Sequence, residues 1–85
     1  MKYPKIKSIV INSDEYLIEA TFDNGDIIIY DMKEKMMDPN YEALKEPSFF
    51  KLGKVDVGGY GISWNDEIDI SEYEIWSGGV KKTLV

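Results

Sequence analysis

The chain contains no cysteine, histidine, arginine or glutamine. Without cysteine and histidine there is no disulfide, no thiolate nucleophile, no imidazole base and no Cys/His zinc site. Without arginine there is no guanidinium fork for phosphate or carboxylate. Long apolar runs are missing too: Ile9-Val10-Ile11 and Ile27-Ile28-Ile29-Tyr30 fall far short of a membrane span. No apolar stretch follows Met1-Lys2-Tyr3-Pro4, so a secretory signal is not expected, and the absence of cysteine fits a cytoplasmic protein. Positive charge is scarce, with 10 cationic side chains against 16 acidic ones and a net charge of −6. DNA readers neutralise phosphates and read guanine edges with arginine, so nucleic acid is not an expected partner of this chain alone. The lysines do gather at Lys2, Lys5 and Lys7 and again at Lys81 and Lys82. A transcription-associated module touching nucleic acid through these ends is therefore the alternative reading; solubilising charges on strand edges and tails are the plainer one.

What remains is a globular composition, 44% hydrophobic and 31% charged, in 85 residues. That length gives one domain over residues 1–85, with 77–85 read as a loose tail. The strongest local signal is Asp23-Asn24-Gly25-Asp26, because Asn-Gly between apolar runs marks a type I′ hairpin turn. A two-residue loop at Asn24-Gly25 would set Phe22 opposite Ile27, Thr21 opposite Ile28 and Ala20 opposite Ile29. The core face would then carry Tyr16, Ile18, Ala20, Phe22, Ile27 and Ile29. The outward face would carry Leu17, Glu19, Thr21, Ile28 and Tyr30, more apolar than a wet face needs. Lys5 to Ile11 reads as a preceding strand, completing a three-stranded antiparallel meander. An exposed hairpin edge would leave room for a homodimer.

After Tyr30 the pattern changes. Asp31 with Glu34 resembles a capping box, and Met32, Met36 and Met37 recur at near-helical spacing. Pro39 would break a continuous helix but can open a second one after Asp38, burying Tyr41 and Leu44 and stopping at Glu46-Pro47. Phe49, Phe50 and Leu52 read as core. Lys54 to Val57 and Tyr60 to Trp64 read as short strands around Gly58-Gly59, followed by an extended segment from Glu67 to Ile70. Ser71 with Glu74 opens a short helix that Gly78 ends. The fold class is α+β: a small antiparallel sheet of about five strands, an N-terminal meander plus short C-terminal strands, packed with short helices.

Three constellations invite chemistry and are better read as structure. Gly58-Gly59-Tyr60-Gly61 lacks both the Lys-Ser/Thr of a phosphate loop and the third glycine of a dinucleotide fingerprint, so a glycine turn explains it. A small-ligand sensor using a pocket near Gly58 to Trp64 stays open as a further alternative. Tyr41 and Lys45 have the spacing of some dehydrogenase proton relays, without the parallel sheet or cofactor loop such enzymes need. Asp66, Glu67, Asp69, Glu72 and Glu74 miss the calcium-loop pattern, having Ile70 where its glycine belongs, and helix capping accounts for them. No cofactor, metal or catalytic residue is assigned, and an enzyme is not expected. The aromatics are more telling: Trp64, Trp76, Tyr60 and Tyr73 are many large rings for a small domain. Those left at the surface would form a protein-contact patch with Leu17, Thr21, Ile28 and Tyr30.

The order of these residues resembles a bacterial family called domain of unknown function 2442. The resemblance rests on Tyr16-Leu17, Phe22-x-Asn24-Gly25, Tyr30-Asp31-Met32 and Leu44-Lys45-Glu46-Pro47 leading into Phe49-Phe50. It continues through Val55-Asp56, Gly61-Ile62-Ser63-Trp64, Asp69-Ile70 and Ile75-Trp76, spanning Pro4 to Trp76. Asn65 stands where the family usually has proline, and Ile75-Trp76 replaces the usual Leu-Tyr. The resemblance implies a small α+β domain with no established activity and no catalytic residues to carry over. Some relatives add a helix-turn-helix, which would be missing here after Val85. Others are encoded beside a second small protein in arrangements like toxin–antitoxin pairs. Together these readings lead to a cytoplasmic, non-catalytic interaction domain that binds an unidentified protein partner, the acidic member of a regulatory pair. The expected contact residues are Leu17, Thr21, Ile28, Tyr30, Trp64 and Trp76.

Overall fold

The computed structural model describes residues 3–82. Strands β1 (Ile6–Asn12), β2 (Leu17–Phe22) and β3 (Ile27–Asp31) form the meander. Two 3-10 turns follow, Lys35–Met37 and Pro39–Lys45, then the single-turn helix α1 (Pro47–Phe50). Next come β4 (Lys54–Val55), a 3-10 turn at Val57–Gly59, β5 (Gly61–Ser63), β6 (Asp69–Ser71), helix α2 (Glu72–Gly78) and β7 (Val80–Lys81). The architecture is α+β. Among the described residues the strands make two antiparallel sheets rather than one, ordered β1-β2-β3-β7 and β4-β5-β6.

The hairpin turn lies where the sequence places it, but its loop is one residue longer. The Gly25 amide donates to the Phe22 carbonyl (2.9 Å) and the Phe22 amide donates to the Asp26 carbonyl (2.8 Å). The loop is thus Asp23-Asn24-Gly25, with Gly25 at φ +93 in the left-handed region. This is the hairpin in which a turn is followed by a left-handed residue, the form that ranks after the two-residue loop. The register becomes Thr21 opposite Ile27, Ala20 opposite Ile28 and Ile18 opposite Tyr30. Because side chains alternate along a strand, this one-residue shift turns all of β3 over. Ile28 points into the core at 4% exposure, while Ile27 and Ile29 join the outward face.

The inner face of the meander supplies Ile6, Ile18, Ala20, Phe22 and Ile28 to the core. It is covered by Met32, Met36, Leu44 and Phe50 from the middle of the chain and by Ile62, Ile68, Ile70 and Ile75 from the second half. Burying each such aliphatic or aromatic side chain contributes roughly 1.5–3 kcal/mol before entropy is charged against it. Met32 and Met36 are buried as expected, but no α-helix connects them and Met37 is 78% exposed. The Asp31 carboxylate accepts from the Lys33 amide instead of capping a helix, and Glu34 caps nothing with its side chain. Pro39 holds Asp38 extended (φ −78, ψ 127), which leaves too few residues for a helix after β3. Asp38 then caps the next turn, its carboxylate accepting from the Asn40 amide (2.9 Å). The turn that Pro39 opens stops at Glu46-Pro47 as expected, with Glu46 extended, and Pro47 also starts α1 with Glu46 as its cap. Phe50 is fully buried and Phe49 half-buried, whereas Leu52, read as core, is 56% exposed.

Gly58-Gly59 forms the turn between β4 and β5. A Cβ on Gly59 would lie 2.4 Å from the Ile6 carbonyl oxygen, so glycine there permits the second sheet to reach β1. Ser71 caps α2, its hydroxyl accepting from the Glu74 amide (3.1 Å). The segment beyond α2 is not a loose tail from its start. Val80 and Lys81 pair with Ile29 and Ile28 of β3, and the Lys82 amide donates to the Ile27 carbonyl (2.8 Å). Residues 83–85 of that expected tail lie outside the described residues. The β3 edge, expected to be open, is therefore capped by β7 along Ile27–Ile29.

Candidate functional site

Strand alternation and register decide which side chains share the outward face of the four-stranded sheet. Val10, Glu19, Ile29 and Val80 lie directly opposite one another and form one row across all four strands. Leu17 and Thr21 flank Glu19 on β2, and Ile27 flanks Ile29 on β3. None of these residues is buried; Val10 and Val80 are 65% and 72% exposed. The Lys82 ammonium crosses the face to the Glu19 carboxylate (3.0 Å), so the one charge inside the apolar row is matched. A shallow groove of about 190 Å³ runs between Val10, Leu17 and Ile29.

Ile29 also forms the lip of a larger open cleft of about 760 Å³, beside the last residues of β3, the first 3-10 turn and the end of α2. Here the Tyr30 hydroxyl donates to the Glu74 carboxylate (3.0 Å), and the Lys35 ammonium pairs with the same carboxylate. Lys35 also lies 4.7 Å from the centre of the Tyr41 ring. Burial pushes the Tyr30 hydroxyl pKa up, and the hydrogen bond and charge of Glu74 push it further in the same direction. For Lys35, burial acts downward, but the hydrogen bond and charge of Glu74, together with Tyr41 and the charge of Asp38, outweigh it and the ammonium holds its proton more firmly than usual. A tyrosine that keeps its proton and a carboxylate already shared by two donors form a cross-link between β3, the turn and α2.

The six expected contact residues do not form one patch. Leu17 and Thr21 stand on the outward face. Ile28 is in the core, a correction that follows from the longer hairpin loop. Tyr30 lies on the inner side, half-buried at the cleft. Trp64 belongs to the second sheet's side of the molecule: its ring stacks 5.9 Å from Phe50 and its indole N–H donates to the Phe50 carbonyl (2.7 Å). Trp76 meets Phe22 edge-on at 5.1 Å. Both indoles are half-buried and packed against the core. The residues missed are Val10, Ile27, Ile29 and Val80. Alternation along β1 carried a signal for Val10; a count from a three-residue loop would have found both isoleucines.

The other constellations also resolve. The Tyr41 hydroxyl donates to the Asp69 carbonyl (3.1 Å), and Lys45 is exposed. Among the described residues no group of three or more Asp or Glu side chains gathers as a metal would require. Lys5 pairs with Glu72 (3.1 Å) and lies 4.2 Å from the centre of the Tyr60 ring. Lys81 pairs with Asp26 (3.1 Å), and Lys2 lies outside the described residues. No helix among the described residues is long and apolar enough to cross a membrane.

A family model described as protein of unknown function (DUF2442) matches residues 8–81. The match starts within β1 and ends in β7, so it begins after Pro4 and extends past Trp76, the two ends of the resemblance. Neither the curated proteins nor the solved structures include a match.

Proposed function

This chain belongs to the DUF2442 family of proteins of unknown function, and we propose that it works as a non-catalytic protein-interaction domain in the bacterial cytoplasm. In this reading it is the acidic member of a regulatory pair and takes its partner on the outward face of the four-stranded sheet. The observation that carries the reading is the row Val10–Glu19–Ile29–Val80, apolar at three of its four positions and unburied along its length. Apolar groups clustered on an open sheet face are what an interface core needs. At roughly 25 cal/mol per Å², covering a few such side chains supplies several kcal/mol toward association. Lys5, Lys81 and Lys82 are each held by a carboxylate, which weighs against the nucleic-acid alternative.

The test is affinity capture from nuclease-treated lysate, comparing the natural chain with a Val10→Asp/Ile29→Asp variant whose melting temperature has been checked. A stoichiometric partner held by the natural chain and lost by the variant supports the reading. A partner held equally by both, or nucleic acid alone recovered when nuclease is omitted, overturns it. Ile28→Ala is unsuitable as a surface variant, because that side chain is core.

A further inference from the structure

The cleft beside the apolar row has a charge pattern that specifies what sort of segment could fill it. Its floor includes Ile29, the Tyr30 ring and Val80, continuous with the outward face through Ile29. Its two cations are already engaged. Lys35 pairs with Glu74, while Lys33 pairs with Asp31 (3.3 Å) and donates to the Glu15 carbonyl (2.8 Å). Two further carboxylates on the lining, Glu34 and Asp38, are exposed and meet no lysine of the described residues within ion-pair distance. The Asp38 carboxylate accepts from the Asn40 amide. The cleft also meets Gly78 at the C-terminal end of α2, whose last turn carries no basic residue. The negative end of that helix dipole therefore adds to the unmatched carboxylates.

Resting on the interaction-domain reading above, we propose that this cleft receives a basic segment of the partner protein. In that segment an aliphatic residue packs on Ile29 and Val80, and flanking lysine or arginine side chains reach Glu34 and Asp38. A neutral segment would leave two carboxylates facing it without a direct ion-pair partner, although Asp38 feels the nearby Lys35 charge, and an acidic one would add repulsion. The chain's net charge of −6 steers a basic partner toward it from a distance.

Three nine-residue peptides with leucine at alternate positions serve as probes, differing only in lysine, serine or glutamate between the leucines. Binding is read by fluorescence anisotropy and mapped by amide chemical shifts. The key variant is Glu34→Lys/Asp38→Asn, which keeps a capping side chain at position 38. The control, Asp66→Asn/Glu67→Lys, makes the same total charge change on the exposed turn before β6. The lysine peptide is expected to shift Ile29, Tyr30 and Val80. The key variant should weaken it by about tenfold and the control by less than about threefold. Equal losses in both variants would mean that bulk charge alone attracts the peptide, and the proposal fails. Shifts confined to the outward face, with the serine peptide binding as well as the lysine one, refute the basic segment and leave the interaction-domain reading standing. If no peptide touches either surface, both readings lose their support.

Discussion

Tyr16 has a backbone φ of 57, the left-handed region that bulky residues avoid at a cost of about 1–2 kcal/mol. The strain is offset by what that geometry permits. The ring packs 5.5 Å from Phe50, the hydroxyl donates to the Lys45 carbonyl, and the Tyr16 carbonyl accepts from the Met32 amide (2.9 Å). Tyr16→Phe should cost about 1 kcal/mol in urea denaturation, the net worth of the hydrogen bond. Tyr16→Gly relieves the backbone but removes the ring, and should cost about 2 kcal/mol or more; a glycine variant as stable as the natural chain would mean that the ring contributes no more than the strain it imposes. The isoleucines give a second comparison. Ile28→Ala should destabilise by about 2–4 kcal/mol and Ile29→Ala by less than about 1 kcal/mol, because only the first empties a packed site. In the sequence these residues are indistinguishable; burial depends on a loop length set three positions away. Tyr30 adds a pH dependence. Its folded-state pKa is raised above the ordinary 10.0, so the native state holds its proton where the unfolded chain releases it. Its stabilising contribution is complete below pH 10.0 and fades as pH rises through the higher folded value. Lys35, raised from 10.5, acts with the same sign. Melting temperature should fall on going above pH 10, and Tyr30→Phe should make that fall shallower.

Among the elements, those announced by a side chain that bonds its own backbone were the most legible. Ser71 caps the helix it was expected to open, and Pro39 opens its segment with Asp38 as an unanticipated cap, because a hydroxyl or carboxylate two or three residues ahead of an amide acts locally. The same pattern at Asp31 and Glu34 capped no helix. Ser71→Ala should lower stability by about 1 kcal/mol in thermal unfolding, and Ser71→Asp should restore it. Asn24-Gly25 marked the turn but not its length. Both the two- and three-residue loops satisfy glycine's left-handed preference, and they differ only in which residue closes the hairpin. Gly25→Ala should cost about 1 kcal/mol or more through the strained φ of +93, with no steric contribution, since nothing lies within 4 Å of the added Cβ. The methionine-rich stretch misled for a related reason. Met32 and Met36 have helical spacing, and the Met36 amide does donate to the Met32 carbonyl (3.0 Å), but one such turn is all that fits before Asp38 is forced extended. Short-range spacing reports which side chains are buried better than it reports what the backbone does between them.

For the whole molecule, the α+β class and the meander followed from alternation and composition, while the division into two sheets and the capture of β7 by β3 did not. Val80 and Lys81 carry no strand signal of their own; they pair because α2 returns the chain to an edge that already exists. The candidate surface inherits that dependence, since its row is completed only by Val80. A chain ending at Gly79 should therefore lose stability and show self-association by sedimentation, its β3 edge being bare. The sheet order β1-β2-β3-β7 also bears on how the protein is made. During translation the meander leaves the ribosome with its β3 edge unprotected, and it stays so until everything between Met32 and Gly79 has followed. The strand that closes the first sheet is the farthest from it along the described chain, so an emerging meander carries an adhesive margin until α2 has brought β7 back to it.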